Sequence, residues 1–156
     1  MFLYSLLALA VVTALIFAAP LKAKVWATLA VVAAGALWAS ATAVGVLAGG
    51  HTVRLWATDV FLFGSDAGSM DPLSALFALI VSVGAVAAVL YSRGYLAHYL
   101  GRKSPAHISL HYTALATMFY AMLGVVTSEG GFSFLFFWEL MTVASFLLIL
   151  FDAERR

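Results

Sequence analysis

The sequence predicts an all-α polytopic membrane protein of about five transmembrane helices, with the N-terminus outside and the C-terminus in the cytoplasm. Three observations predict it. The 156 residues are 65% hydrophobic and only 10% charged, whereas a soluble domain is about 25% charged. Five apolar windows approach or exceed the length that crosses a bilayer, roughly 20 residues. The basic residues gather on one side of those windows.

The windows fall in order along the chain. The first runs from Phe2 to Ala19 and stops at Pro20. It lacks the positive region that precedes the apolar core of a signal peptide, because Lys22 and Lys24 come after it, so it reads as a retained span. The second runs from Val25 to about Ala48 and ends at Gly49-Gly50. Residues 1–50 thus hold the first two spans. The segment 51–70 is irregular. Partial alternation from His51 to Gly64, with β-branched and aromatic residues, suggests short strands or a hairpin on the outer face. Trp56, Phe61 and Phe63 would sit there at headgroup level, and Ser65 to Met70 reads as loop. Residues 71–156 carry the remaining three spans. Asp71 caps the third and Pro72 opens it; this span reaches Leu90 and extends as exposed turns towards Leu100. The fourth covers Ile108 to Thr127 and the fifth Phe132 to Phe151. Gly35, Gly45, Gly84 and many alanines punctuate the second and third spans, and such small residues let membrane helices approach closely.

Orientation follows from the cations. Lys22, Lys24, Arg93, Arg102, Lys103, Arg155 and Arg156 share one side of a five-span layout, and Arg54 alone takes the other. By the positive-inside rule the populous side is cytoplasmic. A net charge of +1 and the absence of any long basic cluster argue against a nucleic-acid partner. With no cysteine there are no thiolate ligands for an iron–sulfur cluster, and no pair of histidines is placed to hold haem, so no cofactor is expected. His51 and His98 read as surface residues. Tyr91, Tyr95, Tyr99, Tyr112 and Trp26 read as anchors near the cytoplasmic interface.

Glu139 is the only charge between Phe132 and Phe151. A carboxylate in mid-span costs roughly 2.5 kcal/mol or more, and such residues face a bundle interior or a wet cavity on an ion path. Its helical neighbours are Leu135, Phe136, Thr142 and Val143, of which only Thr142 is polar. One hydroxyl is too little to stabilise a carboxylate in hydrocarbon. Two readings stay open: a protonated acid tying two helices together, or a carboxylate paired with a cation whose charge state changes as protons pass. Every other charge lies at or outside a span boundary, so an ionised Glu139 needs a partner from water, another subunit or further chain. His107 and His111 share a helix face at the start of the fourth span. They lack the further ligands that a metal needs and read as interfacial, with proton feeding by His111 a second possibility.

The pieces Met70-Asp-Pro-Leu-Ser-Ala-Leu-Phe, Tyr91-Ser-Arg-Gly-Tyr-Leu and Phe136-Phe-Trp-Glu-Leu-Met-Thr-Val-Ala-Ser-Phe-Leu-Leu-Ile carry a resemblance. From about Met70 to Asp152 the chain resembles the antiporter-like proton-translocating subunits. That family includes the membrane-arm subunits of respiratory complex I, the membrane subunits of group 4 hydrogenases and the large subunits of multisubunit sodium/proton antiporters. The resemblance implies a proton-path role for Glu139, paired with a lysine two helices later, in a subunit of a multisubunit complex. It also implies a bacterial or archaeal cytoplasmic membrane and a place inside an oxidoreductase or antiporter complex, with no redox centre in this chain.

Members of the family have roughly fourteen spans and a core of inverted repeats. The chain therefore looks like the N-terminal part of such a subunit, with partners in the lipid bilayer, in other membrane subunits and in a chain or segment bearing the remaining helices. The alternative is a non-transporting assembly or scaffold protein in which Glu139 is the protonated tie.

Overall fold

A computed structural model describes residues 11–20, 23–60, 64–97, 99 and 103–153. Residues 11–18 form the described part of a first helix, α1. Then follow α2 (Lys24–Gly49), strands β1 (Val53–Val60) and β2 (Gly64–Met70), and helices α3 (Pro72–Ala97), α4 (Pro105–Thr127) and α5 (Gly131–Ala153). Four of these helices, α2 to α5, are long and apolar enough to cross a membrane. The expected first span starts among residues 1–10, which lie outside the described residues, as do Lys22, Phe61, Phe63, His98, Arg102, Arg155 and Arg156.

The helix boundaries follow local chemistry. α2 stops because Gly50 adopts the left-handed conformation (φ 62°) and its N–H donates to the Val46 carbonyl at 2.9 Å, a termination that favours glycine. Asp71 caps α3 as expected, accepting from the Ser74 N–H at 2.7 Å. That hydrogen bond holds its carboxyl below the ordinary value. α4 begins one turn earlier than the apolar window, because Ser104 caps it and Pro105 takes the first position.

Strands β1 and β2 pair antiparallel, from Val53 opposite Met70 to Val60 opposite Gly64, with an irregularity between Arg54 and Trp56. The reading of Ser65 to Met70 as loop is corrected here. The segment Gly64-Ser-Asp-Ala-Gly-Ser-Met has little intrinsic strand preference. It is extended because β1 pairs with it on one side and Ser128 forms a bridge to Gly68 on the other.

This pairing returns the chain to where α2 ended, so α2 and α3 run antiparallel side by side. Their contact uses Ala36, Ala39, Ala43 and Val46 of α2, with Ala75, Ala78, Ser82 and Val89 buried on α3. Small residues do bring these helices together, and at this contact they are alanines; Gly35 instead lets the Tyr120 side chain of α4 lie close to α2, where a Cβ would stand 2.6 Å from its hydroxyl. A side chain at Gly45 or Gly84 would meet nothing within 4 Å. α4 packs against α2, α3 and α5. The Tyr120 hydroxyl donates to the Val31 carbonyl at 2.8 Å and ties α4 to α2. Gly124 lets the Phe137 ring of α5 lie against the α4 backbone; a Cβ there would sit 2.3 Å from it.

The bundle has two distinct ends. The ribbon end gathers Arg54, Asp66, Asp71 and Glu129, beside the α4–α5 turn. The opposite end gathers Lys24, Arg93 and Lys103. Lys24 is buried, and its ammonium donates to the Ile16 and Phe17 carbonyls at 2.9 and 3.0 Å. These are the last carbonyls of α1, where a cation offsets the helix dipole.

Candidate functional site

The site is built on α5, the helix with the least support from its own chain. Of its membrane-length span only 11% is buried, against 50% for α4. Its inner face is set by Ser133, Phe137 and Ala144, which turn towards α4 and β2. Its outer face presents Leu135, Trp138, Val143, Phe146, Ile149 and Leu150, each between 47% and 70% exposed. That spacing is one continuous helical stripe. Glu139 and Thr142 both lie in it and are both exposed from the rest of the chain.

Glu139 accepts no hydrogen bond from any described residue. Thr142 is the one polar neighbour that the sequence offered as support for Glu139. Thr142 Oγ1 donates to the Trp138 carbonyl of its own helix at 3.0 Å, the back-bonding that threonine commonly makes within helices. The carboxylate therefore projects from an apolar face with nothing among the described residues to neutralise it.

His111 is placed elsewhere. It is 9% exposed, and its Nδ1 has no hydrogen-bond partner among the described residues. Its ring lies 4.7 Å from that of Phe151, 5.9 Å from Tyr112 and 6.1 Å from Tyr95, centroid to centroid. Phe151 follows Glu139 by about 18 Å of helix rise, at 1.5 Å per residue. The structure thus brings Glu139 and Thr142 onto one face and leaves His111 at the far end of α5. His107 is exposed and shares a 2.8 Å hydrogen bond between its Nδ1 and Ser104 Oγ. The tyrosines divide in the same way. Tyr91 is 76% exposed and Trp26 stacks under Arg93 at 5.4 Å, as interfacial anchors would be, but Tyr99 and Tyr112 are buried.

Two further residues hold α5, and the sequence alone missed both. At its N-terminus stands Asp66 of β2, 4% exposed. Asp66 Oδ2 accepts from the Ser133 N–H at 2.8 Å, and Oδ1 accepts from Ser133 Oγ at 3.0 Å and from the Ala67 N–H at 2.9 Å. At its C-terminus the Lys103 ammonium donates to the Phe151 carbonyl and lies 4.4 Å from that ring's centroid. An anion at the N-terminus and a cation at the C-terminus both offset the helix dipole. No local signal announces either, because each partner lies far away in sequence.

Four long apolar helices around an alanine-lined contact make this a multi-pass membrane protein. No protein-family model matches the chain. Known proteins are similar over about half of it. It is 39% identical over 87 residues to Na+/H+ antiporter subunit A1 of Staphylococcus aureus, covering 56% of this chain and 10% of that protein. It is 35% identical over 82 residues to an antiporter subunit of Staphylococcus saprophyticus, covering 53% and 10%. It is 35% identical over 88 residues to NAD(P)H-quinone oxidoreductase chain 5 of a Picosynechococcus species, covering 56% and 12%. The matched segment spans about a tenth of the length of these curated relatives. Over the matched segment the chain is thus similar to antiporter-like membrane subunits.

Proposed function

We propose that this chain forms part of a proton-translocating, antiporter-like subunit, within a membrane oxidoreductase or a cation/proton antiporter complex of a bacterial or archaeal cytoplasmic membrane. Glu139 is its intramembrane proton-path carboxylate. One observation carries the reading: the only charge between Phe132 and Phe151 of α5 lies on that helix's unpartnered face, with no hydrogen bond from any described residue. A bare carboxylate in hydrocarbon is costly, so the stripe around it is a half-interface that more helices complete. The cation that pairs with Glu139 comes with them. The antiporter and oxidoreductase subunits among the relatives support the same reading.

The chemistry asks for an acid whose protonation changes as its partner approaches. A nearby cation favours the charged form and desolvation favours the neutral one, so movement of a partner cation converts into uptake or release of a proton. The test is Glu139→Gln in membrane vesicles that contain the assembled complex. Proton transport is expected to fall about tenfold or more, because the amide cannot carry a proton along the path, while the amount of assembled protein stays unchanged. Undiminished transport in that variant would sink the reading and leave Glu139 as a neutral tie, which an amide replaces.

A further inference from the structure

The contacts of Asp66 go beyond what a helix cap requires. A capping side chain ordinarily sits next to its helix in sequence and satisfies one N–H. Asp66 reaches Ser133 across 67 residues, is buried, and uses both of its oxygens. The same strand makes two further ties to the turn before α5. The Glu129 N–H donates to the Ala67 carbonyl at 2.9 Å, and Gly68 bridges to Ser128. Gly130 leaves the space for this: a Cβ on it would stand 1.9 Å from Asp66 Oδ1. Among the described residues α5 is otherwise held along the face it shares with α4 and, at its far end, by Lys103 and the tyrosines around Phe151, so contacts at its ends weigh heavily in its rotation and depth. Glu139 stands about 12 Å of helix rise beyond Gly131, on the same rigid rod.

We propose that Asp66 is a positioning residue, through which the β1–β2 ribbon sets the rotation and depth of α5 and hence the direction in which Glu139 projects. The proposal rests on the reading of Glu139 as the proton-path carboxylate. Moving the ribbon, by whatever binds to it, would then move the carboxylate.

The test separates a tie from a cap. Asp66→Ala removes both. Asp66→Ala combined with Gly130→Asp restores a carboxylate to the N-terminus of α5, in the space that Asp66 vacates, but no longer fastens the helix to the ribbon. Two quantities are read in native-membrane vesicles: proton transport, and the rate at which a small permeant maleimide labels Val143→Cys, a unique thiol in a chain without cysteine. Val143 lies one turn from Glu139 on the same exposed stripe.

Asp66→Ala is expected to lower both stability and transport and to change the labelling rate about fivefold, the scale of a lost cap. The double variant is expected to regain stability but neither transport nor the original labelling rate. Recovery of both by the double variant would overturn the proposal, since a cap alone would then suffice. Gly130→Ala, which displaces the Asp66 carboxylate without removing it, covers the case in which Asp66→Ala does not accumulate; it too should shift the labelling rate, and an unchanged rate there counts against the proposal. If Glu139→Gln leaves transport intact, the proton-path reading fails, yet the labelling series still decides whether Asp66 sets the pose of α5.

Discussion

Helices α4 and α5 have the same length, 23 residues, and lie side by side, yet their surfaces are finished to different degrees. α4 touches α2, α3, α5 and β2, and half of its span is buried. α5 rests on α4 and the ribbon, with a ninth of its span buried. α4 carries no Asp, Glu, Lys or Arg, and the more apolar α5 carries Glu139 in mid-span besides Asp152 at its end. The helix that its own chain buries is the scaffold, and the helix left open is the one that bears a charge. Hydropathy alone would rank them the other way round, because lipid and a partner helix both accept apolar surface.

Substitutions can break or sharpen this contrast. The largest effect is expected from paired truncations of phenylalanine. Phe119 of α4 is 2% exposed and Phe146 of α5 is 60% exposed. Phe119→Ala should cost about 3 kcal/mol through the cavity it leaves, whereas Phe146→Ala should cost about 0.5 kcal/mol or less in the isolated chain. Unfolding in detergent measures both. In the assembled complex Phe146→Ala should become the costlier of the two for subunit retention, and no change in retention would mean that the stripe faces lipid.

A smaller effect is expected from glycines. Gly124→Val drives a side chain into the Phe137 ring and should destabilise by about 1–3 kcal/mol through overpacking of the α4–α5 contact. Gly84→Ala meets open space and should be neutral or slightly stabilising, since alanine is the better helix former by about 1 kcal/mol. Equal losses in the two variants would show that Gly84 also lies in a contact, one made by helices outside this chain.

The smallest effect is a pH dependence at the ribbon end. The Ser74 N–H lowers the Asp71 carboxyl in the folded state. A depressed acid contributes stability that is present above its unfolded value, about 3.9, and is lost as the pH falls through its folded value. The thermal midpoint should therefore drop below about pH 4, and drop less in Asp71→Asn. Identical profiles would assign the acid sensitivity to another group.

Much of the fold was legible in the sequence because it is encoded locally. Apolar windows longer than a bilayer is thick leave few alternatives to a helix, since only internal hydrogen bonds satisfy a backbone in lipid. The Asp71-Pro72 start and the Gly49-Gly50 stop could be read for the same reason: a cap acts on atoms three or four residues away. Glu139 stood out because it was the one charge in its window. The reading was weaker where an interaction joins distant residues. Nothing in Gly64-Ser-Asp-Ala-Gly-Ser-Met asks for a strand, and its pairing depends on β1 and on the turn after α4. Tyr91, Tyr95 and Tyr99 recur every four residues and looked like one set of anchors, but only the packing of α4 and α5 decided that Tyr99 turns inward while Tyr91 stays out.

By itself, then, the sequence determined the solvent of this protein, the places where its helices begin to be possible, and the one residue whose charge needs an explanation, because each depends on composition or on neighbours within a turn. Only the tertiary structure decided which face of each helix is closed, that the Thr142 hydroxyl turns back on its own helix, and that Asp66 and Lys103 hold the two ends of α5. Those outcomes depend on a rotation about each helix axis and on contacts between residues tens of positions apart, and an apolar surface that lipid or protein can cover equally well leaves no trace of either in the periodicity of the chain.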